Sequence, residues 1–149
     1  MKRFTALEPL RLFVDTWGWL VLEDGSDPAH RSVLDIRRQC AWRPGSWITS
    51  DFVLDETITR LFSRRPFLEA QRFCTEVFEA QQLGLLVVES ITPERFQKAY
   101  QLRLRYRDKP RISFTDLTSF AVMRELGIRH ALTADQHFVQ VHLGFQILP

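Results

Sequence analysis

Apolar residues in this chain come in short runs separated by longer stretches of helical period. Arg11–Asp15 reads R-L-F-V-D, a brief apolar run closed by an acid, as expected of a buried strand. Trp17–Leu22 follows as a helical stretch, and Asp24-Gly25-Ser26-Asp27-Pro28 is a turn. Pro28 suits the first turn of the next helix, with Asp27 as its cap. That helix is predicted to reach about Ala41 and to stop before Pro44-Gly45. Trp47–Thr49 is a second short strand, after which Ser50 or Asp51 caps a helix through about Arg64. Pro66 opens another helix, which Gly84 stops. Leu85–Ile91 is strand-like in its β-branched content. Thr92 caps a helix entered through Pro93 and broken at Asp108–Pro110, and Ser113–Leu126 is a helix closed by Gly127. Ala131–Ala134, ending on Asp135, and Phe145–Leu148 complete the strands.

Strands alternating with helices predict a three-layer α/β fold, a central, mostly parallel sheet flanked by helices. The 149 residues fit one domain, and no repeat, low-complexity tract or linker divides them. The expectation is a single domain over 1–149, with 1–10 as a loose arm. Composition is globular, 45% hydrophobic and 26% charged. Glu8, Arg11 and Asp15 interrupt any signal-peptide core, and no apolar run approaches the roughly 20 residues of a membrane span. Cys40 and Cys74 are isolated, so they read as reduced thiols of a cytoplasmic protein.

In an open α/β sheet, sites lie beyond the carboxyl ends of the strands. Asp15, followed by Thr16, ends the first strand; Asp135 ends the strand before the last, with Thr133 two residues earlier. Either acid alone also fits a cap or turn. Ser113-Phe114-Thr115-Asp116 has the S-x-x-D form of a capping box, which makes Asp116 a cap residue, a site carboxylate, or both. In Leu54-Asp55-Glu56-Thr57 the stripe Leu54, Ile58, Leu61, Phe62 leaves Glu56 opposite the apolar side and Asp55 nearer its edge; periodicity does not choose between them. Clustered carboxylates stay ionised only beside a cation. All-oxygen ligands suit Mg²⁺ or Mn²⁺, and a carboxylate-held metal pair serves in-line phosphodiester attack.

The motifs L-F-V-D-T (12–16), V-L-D-E-T (53–57), S-F-T-D-L-T-S-F-A (113–121) and L-T-A-D-Q-H-F (132–138) occur in this order. Together they resemble a PIN domain, most of all the compact prokaryotic toxin ribonucleases of VapBC type, over roughly residues 10–149. The resemblance implies a Mg²⁺- or Mn²⁺-dependent endoribonuclease, the toxin of a toxin–antitoxin pair, with an antitoxin covering its site. It maps the family's acidic set onto Asp15, Glu56, Asp116 and Asp135, so it favours Glu56 over Asp55. It gives Thr133 the role of orienting neighbouring carboxylates; Thr16 and Ser113, from their places beside Asp15 and before Asp116, are further supporting candidates. Many members carry a further acid two residues after the last Asp; here that position is His137, a candidate contact to substrate phosphate or a surface histidine.

Net charge is only +2, from 20 Lys and Arg against 18 Asp and Glu. The cations gather: Arg103, Arg105, Arg107, Lys109 and Arg111 fall within nine positions, and Arg60, Arg64 and Arg65 form a second group. Such groups are either solvated faces or a phosphate track, for which Arg60, Arg64, Arg105, Arg107 and Arg111 are the RNA-binding candidates. Tyr100 and Tyr106 fit either base stacking or core packing. Trp17, Trp19, Leu20 and Leu22, with Phe67, Phe73 and Phe78, exceed what a small monomer needs; much of the group reads as core, and an excess suits a homodimer face or a partner-helix groove. The competing class is a non-catalytic RNA- or protein-binding module on the same fold. Nucleotide-binding glycine motifs and a G-x-S-x-G elbow are absent from the sequence. So are a second acid two residues after Asp15 and an acidic pair before its strand, which removes dehalogenase-like and receiver-like readings.

Overall fold

The computed structural model describes residues 10–40 and 43–149. Strand β1 (Leu12–Val14) is the fully buried apolar run and leads into α1 (Thr16–Glu23). Helix α2 (His30–Cys40) begins two residues after Pro28, where the Asp27 carboxylate accepts the N–H of Ala29 at 2.8 Å. Its expected end near position 41, and the arm at 1–9, lie outside the described residues. β2 (Trp47–Ser50) is followed at once by α3 (Asp51–Arg64), whose cap is Ser50, accepting the N–H of Val53. Next come α4 (Phe67–Gln82), β3 (Leu86–Glu89), α5 (Pro93–Arg105), α6 (Phe114–Leu126), β4 (His130–Leu132), α7 (His137–Gln140) and β5 (Gln146–Leu148). The one-turn α7 is not expected from the pattern, being too short to carry a period.

All strand pairings are parallel, in the order β3-β2-β1-β4-β5. The chain steps outward from β1 to β2 and β3, then returns past both to place β4 on the other side of β1. Right-handed crossovers therefore put α1–α4 on one face and α5–α6 on the opposite one. The direction reverses between β1 and β4, which is the switch point where a crevice opens at the carboxyl ends of the strands. Helix α6 is buried continuously from Asp116 to Met123. Its polar members are satisfied locally, Thr118 and Ser119 both donating to the Thr115 carbonyl. Arg95 of α5 ties the end of β3 to α6 by pairing with Glu89 and Glu125.

Gly18 sets how closely α1 lies on the sheet. A Cβ there would stand 2.8 Å from the Leu132 carbonyl oxygen and 2.9 Å from its side chain. A helical glycine costs about 1 kcal/mol of propensity, so its presence in T-W-G-W marks a close approach. Gly18→Ala is expected to push α1 off β4 and destabilise the fold by about 1–3 kcal/mol despite the better helix former, which calorimetry reads as a lower midpoint. A higher midpoint would mean that α1 has room to spare.

Candidate active site

Four elements deliver carboxylates to the crevice at the switch point. Asp15 stands between β1 and α1 and is 6% exposed. Its position is fixed twice from the β4 side: its N–H donates to the Leu132 carbonyl, and its Oδ2 accepts the Thr133 hydroxyl at 2.8 Å. The same Thr133 oxygen accepts the N–H of Asp135 at 3.1 Å. One buried hydroxyl thus holds two acids that are 120 positions apart in the chain. Asp135 is not the last residue of its strand; β4 ends at Leu132, and Asp135 lies in the turn that enters α7.

Asp116 sits in the first turn of α6 and is 8% exposed. The Ser113 hydroxyl accepts its N–H at 3.1 Å, so Ser113 caps the helix, and the Asp116 carboxyl faces that of Asp135. Burial, then the charge of Asp15, then the contact with Asp135 push the Asp116 carboxyl up to about 8. Burial likewise raises Asp15 to about 6; the Thr133 hydroxyl opposes the shift, and the charges of Glu56 and Asp135 add to it.

Glu56 completes the set from α3. Its Oε2 accepts the Thr16 hydroxyl at 3.1 Å and its Oε1 lies 2.6 Å from Arg60 Nη2, while Asp55 is exposed. The choice that periodicity leaves open has a simple cause. The buried face of α3 is Val53, Leu54, Thr57 and Leu61, not the stripe through Ile58 and Phe62. Thr57 counts as polar, yet it is fully buried because its hydroxyl donates to the Val53 carbonyl. Shifting the buried face towards Val53 and Thr57 brings Glu56 closer to it than Asp55.

His137, at the start of α7, belongs to this cluster. Its N–H donates to Asp135 Oδ1 at 2.9 Å and its Nδ1 lies 3.2 Å from the same oxygen. Donor atoms of Asp116, Asp135 and His137 all lie within 4.8 Å of one another, and among the described residues no other three His, Cys, Asp or Glu side chains form such a group.

The basic segment divides in two. Arg103 donates to the carbonyls of Tyr106, Lys109 and Ile112, each at 2.7 Å, and so fastens the α5–α6 connection instead of awaiting a phosphate. Tyr106 is buried with its hydroxyl on the Val141 carbonyl, so it is not a stacking platform; Tyr100 is exposed. Arg65 is held by the Glu23 carbonyl and Asp24. Arg64, Arg105, Arg107 and Arg111 remain exposed. Of the apolar excess, Trp19 and Phe73 are core, whereas Phe67 and Phe78 are more than half exposed.

Residues 12–142 match the PIN domain family model. The 23S rRNA-specific endonuclease VapC20 of Mycobacterium tuberculosis is 34% identical over 127 residues, 85% of this chain and 91% of that protein, in strains CDC 1551 / Oshkosh and ATCC 25618 / H37Rv. The crystal structure of VapC20, a sarcin–ricin-loop-cleaving toxin, superposes with a TM-score of 0.75 at 31% identity, covering 93% of this chain and 99% of that one. DNA-bound VapBC from Salmonella typhimurium shares the fold, with a TM-score of 0.62 at 16% identity over 93% of this chain and 96% of that one.

Proposed function

The chain belongs to the PIN domain family, and from that premise we propose that it is a divalent-metal-dependent endoribonuclease, the toxin of a toxin–antitoxin pair. The observation that carries the proposal is the convergence of Asp15, Glu56, Asp116 and Asp135 at one crevice, with two of them held above the ordinary carboxylate range. Buried acids so placed repel one another, and a cation of oxygen preference relieves the repulsion. Asp15, Asp116 and Asp135, with Glu56, would hold Mg²⁺ or Mn²⁺. When bound, the metal supplies Lewis-acid stabilisation of phosphoryl oxygens and a lowered pKa for the attacking water.

The remaining work falls to the chain's own residues. Thr133 holds Asp15 and the Asp135 backbone in register, Thr16 orients Glu56, and Ser113 anchors the turn that presents Asp116. Thr133→Val keeps the shape but removes the bridge, and is expected to lower cleavage by roughly 10–100-fold, the usual cost of losing a supporting partner. Wild-type rates in this variant would assign Thr133 to packing alone.

For substrate we propose structured ribosomal RNA, the class named for the VapC20 relative. Arg60 beside Glu56, with Arg64, Arg105, Arg107 and Arg111, would meet its phosphates. An antitoxin and a second copy of the chain are the proposed partners. Support comes from the exposed Phe67, Leu68, Phe78 and Leu83, and from the apolar cleft walled by Trp19, Trp47, Phe73 and Val77. We read the chain as one cytoplasmic domain. Among the described residues no helix is long and apolar enough to cross a membrane.

The test is incubation of the purified chain with a ribosomal RNA fragment in Mg²⁺, in Mn²⁺ and in EDTA. Cleavage with either ion and none in EDTA is expected. RNA binding without cleavage under any divalent ion would replace the nuclease with a binding module.

A further inference from the structure

His137 brings a nitrogen atom into a cluster otherwise built from carboxylates, and its surroundings separate two roles. If the ring served only to hold Asp135, it would duplicate a bond already made, because the His137 backbone N–H donates to the same Oδ1 at 2.9 Å. The Asx turn fixes the carboxylate without the imidazole. The ring nonetheless lies against the cluster: Nδ1 is 3.2 Å from Asp135 Oδ1, and a ring nitrogen lies within 4.8 Å of donor oxygens on both Asp135 and Asp116. Adjacent corners of an octahedron with bonds of about 2.0–2.1 Å lie about 3 Å apart. The 3.2 Å between His137 and Asp135, which pairs the two groups directly, is also short enough for both to face one small ion. The side chain is 28% exposed, so it can turn to an ion without disturbing the core.

We propose that His137 is a direct ligand of the ion held by Asp116 and Asp135, and that its nitrogen shifts the site from Mg²⁺ towards Mn²⁺. The inference rests on the metal-site reading given above. Its chemical ground is that imidazole binds transition ions well, whereas Mg²⁺ takes oxygen and sheds its water reluctantly. An all-carboxylate cluster would discriminate less between the two ions than a mixed one does.

The experiment titrates Mg²⁺ and Mn²⁺ into the wild type, His137→Ala and His137→Asp by calorimetry, and records pulsed EPR of each Mn²⁺-loaded protein. The wild type should show ¹⁴N coupling to Mn²⁺, which both variants lose. Mn²⁺ affinity should fall by about tenfold or more in His137→Ala while Mg²⁺ affinity changes by less than about threefold. His137→Asp should bind Mg²⁺ more tightly than the wild type and narrow the preference. Bound Mn²⁺ without ¹⁴N coupling, or equal losses for the two ions, would overturn the inference and leave the four-acid site standing. Failure of the wild type to bind either ion at millimolar concentration would overturn the metal site itself, and this inference with it.

Discussion

Asp116→Asn should abolish RNA cleavage and at the same time stabilise the metal-free protein. The activity side follows from position. Asp116 is presented by a capped first turn against Asp135 and within the field of Asp15. Loss of a direct ligand should exceed the roughly 10–100-fold cost of losing a supporting partner, so a drop beyond about 100-fold separates the two roles. The stability side follows from charge. The wild-type carboxyl is held up near 8 by burial and by Asp15, which means that its ionised form weakens the fold when no cation is present. The amide has no such form, so its melting midpoint in EDTA at pH 8 should lie above that of the wild type. Asp35→Asn, removing an exposed acid of α2, should change neither activity nor midpoint measurably. An Asp116→Asn protein that cleaves normally would remove this residue from the site. One that is inactive but also melts lower would make Asp116 a structural cap.

Affinity for divalent cation should rise steeply with pH through the neutral range. Folded Asp15 titrates near 6 and Asp116 near 8, both above the ordinary 3.8. Between 3.8 and those values the native state holds protons that the unfolded chain has released. The contribution of these groups to stability is thus complete below about pH 4 and declines as pH rises through 6 and on to 8. Cation binding must expel the same protons. From pH 6 to 8 the coupled carboxyls around Asp116 give up about one proton as the site fills, so affinity should increase about tenfold per pH unit and level off above 8. Below pH 6 the slope should steepen as Asp15 also holds a proton. Calorimetry in buffers of different ionisation enthalpy measures the released protons directly. A flat affinity from pH 6 to 8 would contradict the crowding of these two acids. In Asp116→Asn the dependence in that window should weaken markedly.

Much of this arrangement is visible in the sequence because it is carried by local signals. Leu12–Val14 is apolar without alternation because the strand is buried on both faces. Asp15 follows it, and S-F-T-D announces both the cap and the acid of α6. Glu56 is not visible in this way: its neighbour Thr57 hides in the core through a bond to its own helix, and a pattern of apolar letters misplaces the buried face. In the sequence Arg103 and Tyr106 admit a nucleic-acid reading for a similar reason. Each spends its polar atoms on backbone carbonyls, and a carbonyl acceptor leaves no trace in residue identity. His137 enters the cluster through an Asx turn at Asp135, a matter of backbone direction that one turn of helix does not encode. Gly18 carries its signal in its own setting. A glycine among Trp17, Trp19 and Leu20 makes sense only where a strand carbonyl comes too near for a methyl group.

The central place of β1 governs when the site comes into being. Asp15 is made before the other three acids, but its hydroxyl partner is Thr133, and the acids nearest to it electrostatically come from α3 and from beyond β4. The sheet can grow outward from β1 through β2 to β3 while the opposite flank of β1 is still bare. A nascent chain at that stage holds two of the four carboxylates and no register to align them. The proposed nuclease is therefore silent until β4 and the turn after it have been made, and a message truncated before β4 yields no active product. For a protein proposed to attack ribosomal RNA, the strand order itself spares the ribosome that is translating it.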